Sequence, residues 1–404
     1  MSSARPIVYV TPVLPWPANQ GSRQFQLEAA RALATVGPVT WITRTIGEQA
    51  EAEEQLRGEG FDLRLDRSFT SRAPWARLRR RVRIDTAAAW RREPREVHFV
   101  SSPGVRARVA EAARSQPDAW FVGAFWSTAR AVREAPSGRR VLLASDVECD
   151  RAEQARAIGD VVPGREARHL EDVEAEAFAL VDDVLCLTGE DERAARELLA
   201  RRAPSATTRV ARWPVGLRID DPVAWPVPEG SNELLVYGHW AADFNRDGLA
   251  WFLREIWPMV RRARPDLALR VVGRGADALR RNLDGVTWVG YVHDLRSELT
   301  RCRAVVIPLR YAGGFRYRLV ESLGLGRPVV CSPVAALGAE AVAGKTHLEA
   351  ETAEQWVEAI GRSLDPKDAA ALRSEGRRWA LETYGTTTSH RRVQETFAHL
   401  ESLR

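Results

Sequence analysis

AVVIPLRYAGGFRYRLVESLGLGRPVVCSP, residues 304–333, decides how the rest of the chain is read. Its two short apolar, β-branched runs, 304–309 and 328–332, predict strands buried on both faces of a parallel sheet. Between them a Gly313–Gly314 turn leads into 315–324, whose spacing predicts a helix. Leu319, Ser322 and Leu323 would face the sheet, with Arg316, Arg318 and Glu321 elsewhere on or near the helix start. The unit is strand, glycine loop, helix N-terminus, strand. A helix N-terminus presents unpaired N–H groups and a partial positive charge, which favours an anionic phosphate. A Gly-Gly turn also serves wherever the backbone needs a positive φ, so the loop alone leaves both readings open.

At 404 residues the chain is long for one core, and two domains are expected. Apolar content of 45% and charged content of 28% are those of a soluble globular protein. The net charge is +5, and apart from Lys345 and Lys367 the basic residues are arginines. That balance is mild for a nucleic-acid binder, and none is expected as a partner; a phosphate-bearing substrate accounts for part of it. Cys149, Cys186, Cys302 and Cys331 are far apart and read as a buried, reduced set. The histidines show no paired ligand spacing, so no metal site is expected. No segment is long and apolar enough to span a bilayer, and MSSARPIVYV lacks a signal-peptide core, so a cytoplasmic location is expected.

Outward from the central stretch, the chain alternates strand and helix patterns. Strands are predicted at 7–11, 39–43, 61–65, 97–100, 119–122, 140–144, 183–187 and 208–213, with helices at 22–34, 49–58, 105–114, 127–134, 151–180 and 190–200. Ser22 reads as a helix cap. Residues 75–90 interrupt the alternation with a basic helix, in which Trp75, Leu78, Val82 and Trp90 form an apolar stripe beside Arg77, Arg79, Arg80, Arg81 and Arg83. The favoured expectation there is a solvated basic face packed by its apolar edge, with peripheral membrane contact as the second reading. Residues 214–232 carry four prolines and read as a linker. The pattern restarts with strands at 233–237, 268–272 and 286–290, and helices at 246–262, 277–282 and 295–300. Three helices close the chain, near 353–364, 366–383 and 388–402.

The central stretch resembles the donor-binding signature of glycosyltransferase family 4, retaining enzymes of GT-B fold that use nucleotide sugars. Glu321 matches the glutamate that holds the donor ribose, and Gly326-Arg327-Pro328-Val329-Val330 matches the turn and strand that follow it. The resemblance implies an α/β protein of two Rossmann-like domains facing a central cleft: 1–213 for the acceptor, a 214–232 linker, 233–384 for the donor nucleotide, and 385–404 crossing back. The loop PVLPWPANQGSRQ, with Gly21 and Ser22, resembles the first loop of that family, where a glycine lets backbone approach the donor diphosphate. Gly238, His239 and Gly273 match loops lining the donor site, and Val292 falls in the segment 290–294 that meets the nucleobase. Asp146 and Glu148 follow a predicted strand, where open α/β sheets place ligands; they read equally as acceptor contacts or as helix caps.

Two departures stand out. Family members commonly carry a glutamate where this chain has Gly313, so backbone N–H groups of Gly314, Phe315 and Arg316 are expected in its place. The loop 238–246 also has neither the arginine nor the lysine of the family's diphosphate site at its usual place. A subgroup instead places a basic residue three positions before the helix glutamate, which matches Arg318, with Arg316 as a second candidate. The implied chemistry is departure of a nucleoside diphosphate from an anomeric carbon, with Arg316 and Arg318 as the catalytic cations, no cofactor and no metal. Other readings are a non-catalytic nucleotide-sugar-binding protein and a GT-B nucleotide-sugar epimerase.

Overall fold

The computed structural model describes the chain apart from residues 1–3, 17–20, 46–48, 69–72, 92–94, 137, 160–166, 221–229 and 404. Parts of the expected first loop, of the linker and of the acidic helix around Glu166 therefore lie outside the described residues. The chain gathers into two compact units. One comprises Met1–Asp150, Arg165–Val215 and His390–Arg404; the other comprises Arg151–Gly164 and Gly216–Ser389.

The first unit holds a seven-stranded sheet of β1 (Ile7–Val10), β2 (Val39–Arg44), β3 (Asp62–Asp66), β4 (Trp120–Ala124), β5 (Arg139–Ala144), β6 (Asp183–Cys186) and β7 (Arg209–Arg212). All neighbours pair parallel, in the order 3-2-1-4-5-6-7. Every residue of β1, β4 and β6 is buried, as continuous apolar runs require when helices cover both faces. The last helix, Thr386–Ser402, closes this unit with its C-terminal part. Phe397 packs edge-on against Trp120 at 4.9 Å and Trp213 at 6.5 Å. Arg139 donates to Asp183 at 2.6 Å in a buried ion pair, and also to the Leu400 carbonyl.

The second unit repeats the plan with β8 (Glu233–Tyr237), β9 (Ala268–Val272), β10 (Val286–Gly290), β11 (Ala304–Ile307), β12 (Val329–Cys331) and β13 (Leu348–Glu349). This sheet is again parallel, in the order 10-9-8-11-12-13. The core joins the β8 residues Leu234 and Val236 to Trp240, Phe252, Trp257 and Trp356. Both sheets are thus Rossmann-like, and the order reverses between β1 and β4 and between β8 and β11. Open α/β sheets bind ligands at the carboxyl ends of strands flanking such a reversal.

Several elements differ from expectation. Residues 97–100, read as a strand, form the helix Arg95–Val100; a four-residue apolar run does not tell strand from helix, and Val97 and Val100 bury the same face three residues apart. The long helix at 151–180 is two, Glu148–Ala157 and Ala167–Ala179, and Gly159 at φ 77° closes the first. The helix over 246–262 runs Asp243–Trp251, then a π turn at Phe252–Ile256, then Trp257–Ala263, because Pro258 cannot donate the next regular bond. Residues 277–282 shrink to the 3-10 turn Ala276–Leu279. The short β13 was not anticipated. Ser22 lies inside the first turn of helix Gly21–Ala34 and is not its cap.

Candidate functional site

The site is built in the second unit, at the carboxyl ends of β8, β9, β10 and β11. Leu309 leaves β11 tied to Ser332 at the end of β12: its N–H donates to Ser332 Oγ at 3.1 Å, and Ser332 Oγ donates to its carbonyl. The chain then turns through Gly313 and Gly314, the latter at φ 71°, into helix Tyr317–Gly324. Gly314 and Phe315 are buried. Among the described residues, the backbone N–H groups of Gly313, Gly314 and Phe315 donate to no protein acceptor. Buried donors are almost always paired, so three consecutive unpaired ones ahead of a helix N-terminus, two buried and Gly313 half-buried, have the form of a nest, a geometry suited to an anion.

Arg316 holds this loop from within. Its guanidinium donates to the carbonyls of Gly313 at 2.6 Å, Ala312 at 3.2 Å and Val334 at 3.2 Å, and also to that of Gly314. Only 9% of the residue is exposed. Arg316 is expected from the sequence as a catalytic cation; in the fold its guanidinium is engaged by these carbonyls, which surround it. Phe315 is likewise a backbone contributor, its ring stacked among Tyr317 at 5.0 Å and Tyr384 at 4.9 Å.

Arg318 differs. It donates to the Tyr237 carbonyl at 2.8 Å and to Asn245 Oδ1 at 2.6 Å, both neutral acceptors. No carboxylate pairs with it among the described residues. Burial pushes its guanidinium down to about 10, with Arg316 nearby adding to the effect. It stays charged at neutral pH, and an anion arriving beside it would relieve the cost of holding that charge.

The glycines let these groups approach one another. A Cβ on Gly238 would meet Arg318 Nη1 at 3.0 Å. Gly273, at φ 128°, lies so close to β8 that a Cβ there would stand 1.8 Å from the Gly238 carbonyl oxygen. His239 contributes its carbonyl to Asn245 Nδ2 at 3.0 Å, so Asn245 links the β8 loop to Arg318. Glu321, one turn along the helix, accepts a hydrogen bond at Oε2 from the Tyr237 hydroxyl at 3.0 Å. Burial and the neighbouring carboxylate raise Tyr237 well above the usual phenol range, so it remains a neutral donor. Val292 is half-buried in the loop after β10, between Tyr291 and His293, and Arg274 lies 4.9 Å from the Tyr291 ring centre. Sequence reading missed Tyr237 and Asn245. The only signal was their position, at the end of β8 and in the loop behind it.

Gly21, Ser22, Asp146 and Glu148 belong to the first unit. Gly21 opens helix Gly21–Ala34, and Ser22 is exposed in its first turn. Asp146 is half-buried and accepts from Ser145 Oγ at 3.0 Å. Glu148 is 8% exposed and accepts from Trp126 Nε1 at 3.0 Å. The start of helix Glu148–Ala157 is capped from elsewhere: Glu174, fully buried, accepts from the N–H groups of Glu148 at 2.8 Å and Cys149 at 3.0 Å. Asp191 accepts from the Val147 N–H at 3.2 Å. All four cysteines are free and buried, and burial pushes the Cys302 thiol up to about 12. Among the described residues, no group of three His, Cys, Asp or Glu side chains is placed to hold a metal ion.

Residues 231–365, which carry this site, match the sequence model of the family described as Glycosyl transferases group 1. No curated protein matches the chain in sequence. Among solved structures, the chain is similar to sucrose-phosphate synthase from Thermosynechococcus elongatus, with 18% identity, a TM-score of 0.68, and coverage of 99% of this chain and 100% of that one. It is also similar to HepE of Anabaena, solved in complex with UDP-glucose, with 14% identity, a TM-score of 0.64, and coverage of 98% and 99%. The N-terminal domain of trehalose-6-phosphate phosphatase from Candida albicans has 13% identity, a TM-score of 0.64, and coverage of 97% and 98%. These likenesses establish the GT-B fold, and the family match is confined to residues 231–365, within the second unit.

Proposed function

We propose that the chain moves a sugar from a nucleoside-diphosphate sugar to a hydroxylated acceptor, a secondary metabolite or a glycan, with retention at the anomeric carbon. The observation that carries this reading is the pairing of unpartnered N–H groups at Gly313, Gly314 and Phe315 with Arg318, whose charge no carboxylate balances among the described residues. In this reading the donor diphosphate lies against both. Glu321, with one oxygen held by Tyr237, accepts from the donor ribose. Gly238 and Gly273 give the phosphates close access to backbone, and the Tyr291–Asp294 loop meets the nucleobase. The likeness to a protein solved with UDP-glucose supports trying that donor first.

The chemistry follows from where charge develops. As the bond between the anomeric carbon and the phosphate oxygen breaks, negative charge grows on the leaving diphosphate and meets Arg318 and the nest, already in position. The acceptor oxygen bonds to the same face of the anomeric carbon, and its proton passes to the departing phosphate oxygen. No protein base is required, and in this reading no metal is needed; added EDTA is expected to leave turnover unchanged.

Incubating the purified protein with a panel of nucleoside-diphosphate sugars tests the reading through slow release of the nucleoside diphosphate. One donor is expected to be consumed, and Glu321→Ala is expected to abolish consumption. Binding without release from any donor, with or without added hydroxylated acceptors, would favour the non-catalytic reading.

A further inference from the structure

Helix Pro74–Arg91 in the first unit presents an apolar stripe to solvent. Trp75 is 66% exposed, Leu78 63% and Val82 54%, three of the seven large apolar side chains exposed among the described residues. Spacings of three and four, at about 100° per residue, put them on one line along the helix. The expected packing of this edge is not what is found. Ala88 is 7% exposed and Ile84 half-buried, on the opposite side of the helix, so its inward anchor is a different face. Exposed Arg79 and Arg83 flank the stripe on one side and exposed Arg81 on the other. Asp85, the only acidic residue of the helix, pairs with Arg95 at 2.5 Å and lies 3.7 Å from Arg81. Trp90 lies outside the described side chains.

We propose that this face of helix Pro74–Arg91 is a docking surface for an anionic lipid bilayer, with Trp75, Leu78 and Val82 in the headgroup boundary and Arg79, Arg81 and Arg83 on lipid phosphates. An exposed apolar stripe between rows of arginine matches the two components of such a surface, apolar beneath and negative at the headgroups. The opposing candidate, a second copy of the chain, is disfavoured by charge: two-fold pairing through this face would set arginine against arginine. The helix then holds the enzyme at a surface where an acceptor carried on lipid would be concentrated. This inference stands on the helix alone and does not depend on the donor site.

The test is flotation of the full-length protein with vesicles of phosphatidylcholine alone, or of phosphatidylcholine mixed with phosphatidylglycerol, at low and high salt. Wild type is expected to float only with phosphatidylglycerol, and to be released by salt. The triple variant Trp75→Ser, Leu78→Ser, Val82→Ser changes only exposed side chains, and is expected to lose at least tenfold in vesicle affinity at unchanged melting temperature. Arg79→Gln, Arg81→Gln, Arg83→Gln is expected to lose roughly a hundredfold, about fivefold per arginine. Absence of wild-type flotation would overturn the proposal, as would flotation that either triple variant leaves intact. A wild-type dimer in solution that the apolar triple variant dissociates, without flotation, would overturn it in favour of self-association.

Discussion

The two sheets share the strand order 3-2-1-4-5-6, yet the carboxyl ends of their strands carry opposite chemistry. In the first unit the acidic groups there, Glu148, Glu174 and Asp191, are buried and engaged with an indole N–H or backbone N–H groups. In the second unit the corresponding end carries a cation, Arg318, and a run of backbone donors, with no acidic partner to either among the described residues. One end has used its charges to hold its own loops together; the other has left its donors for something outside the protein. The same fold thus carries engaged acidic groups in one half and unpaired donors in the other, and the loops make the difference.

That contrast can be broken from either side. Gly273→Ala is expected to have the largest effect, because its Cβ would stand 1.8 Å from a backbone oxygen at a φ that side chains rarely adopt. A loss of about 3 kcal/mol or more is expected, with nucleotide affinity falling alongside it. Denaturant unfolding measures the first and titration the second. In the first unit, Glu174→Ala strips the caps from two buried N–H groups and is expected to cost about 3 kcal/mol. Here nucleotide affinity should stay at the wild-type value at temperatures where the variant is folded. An affinity loss would mean that the two strand ends are coupled rather than distinct.

Tyr237→Phe sharpens the comparison at smaller scale. It removes the hydroxyl that reaches Glu321 Oε2 at 3.0 Å, and also the Arg318 carbonyl at 3.2 Å and Ser322 Oγ at 3.1 Å, and leaves the ring in place. A loss of about fivefold in donor affinity is expected from a bond worth about 1 kcal/mol. The informative readout is discrimination: the preference for a ribonucleoside diphosphate over its 2′-deoxy counterpart should shrink with the affinity. A merely structural role would weaken both ligands equally.

How much of this was legible in the sequence follows from which signals are local. The runs 304–309 and 328–332 are apolar and short, so β11 and β12 could be read directly, as could the helix between them. Glu321 and Arg318 were singled out through the resemblance of their stretch to a donor-binding signature. The cap on helix Glu148–Ala157 could not be found that way, because Glu174 comes from 26 residues downstream. Arg316 and Arg318 look alike on paper; only the fold shows that four carbonyls close around Arg316, while Arg318 meets one carbonyl and the Asn245 amide oxygen. Helix Pro74–Arg91 shows the same limit, since periodicity finds a stripe but not the side from which the protein packs. The two-residue β13 carries no pattern at all and exists because β12 offers it an edge.

The most direct measurement is calorimetric titration of nucleoside diphosphates into wild type and Arg318→Met. Methionine keeps much of the volume and removes the charge; the relieved cost of burying that charge is offset by the two hydrogen bonds lost, so apo stability should hold within about 1 kcal/mol. Affinity for the preferred diphosphate should fall roughly tenfold to a hundredfold, the loss expected for charge-assisted bonds of about 1.5–3 kcal/mol. The pH dependence has a definite sign. Arg318 is held down to about 10 in the fold, below its value in the unfolded chain, so the cost of burying its charge is fully present below pH 10 and is relieved as pH rises above it. Wild-type affinity should fall as pH rises through about 10, where Arg318 gives up its proton, and the Arg318→Met variant should lack that step. Unchanged affinity in Arg318→Met would contradict the account, because the second unit's strand ends would then owe nothing to the cation that sets them apart from the first.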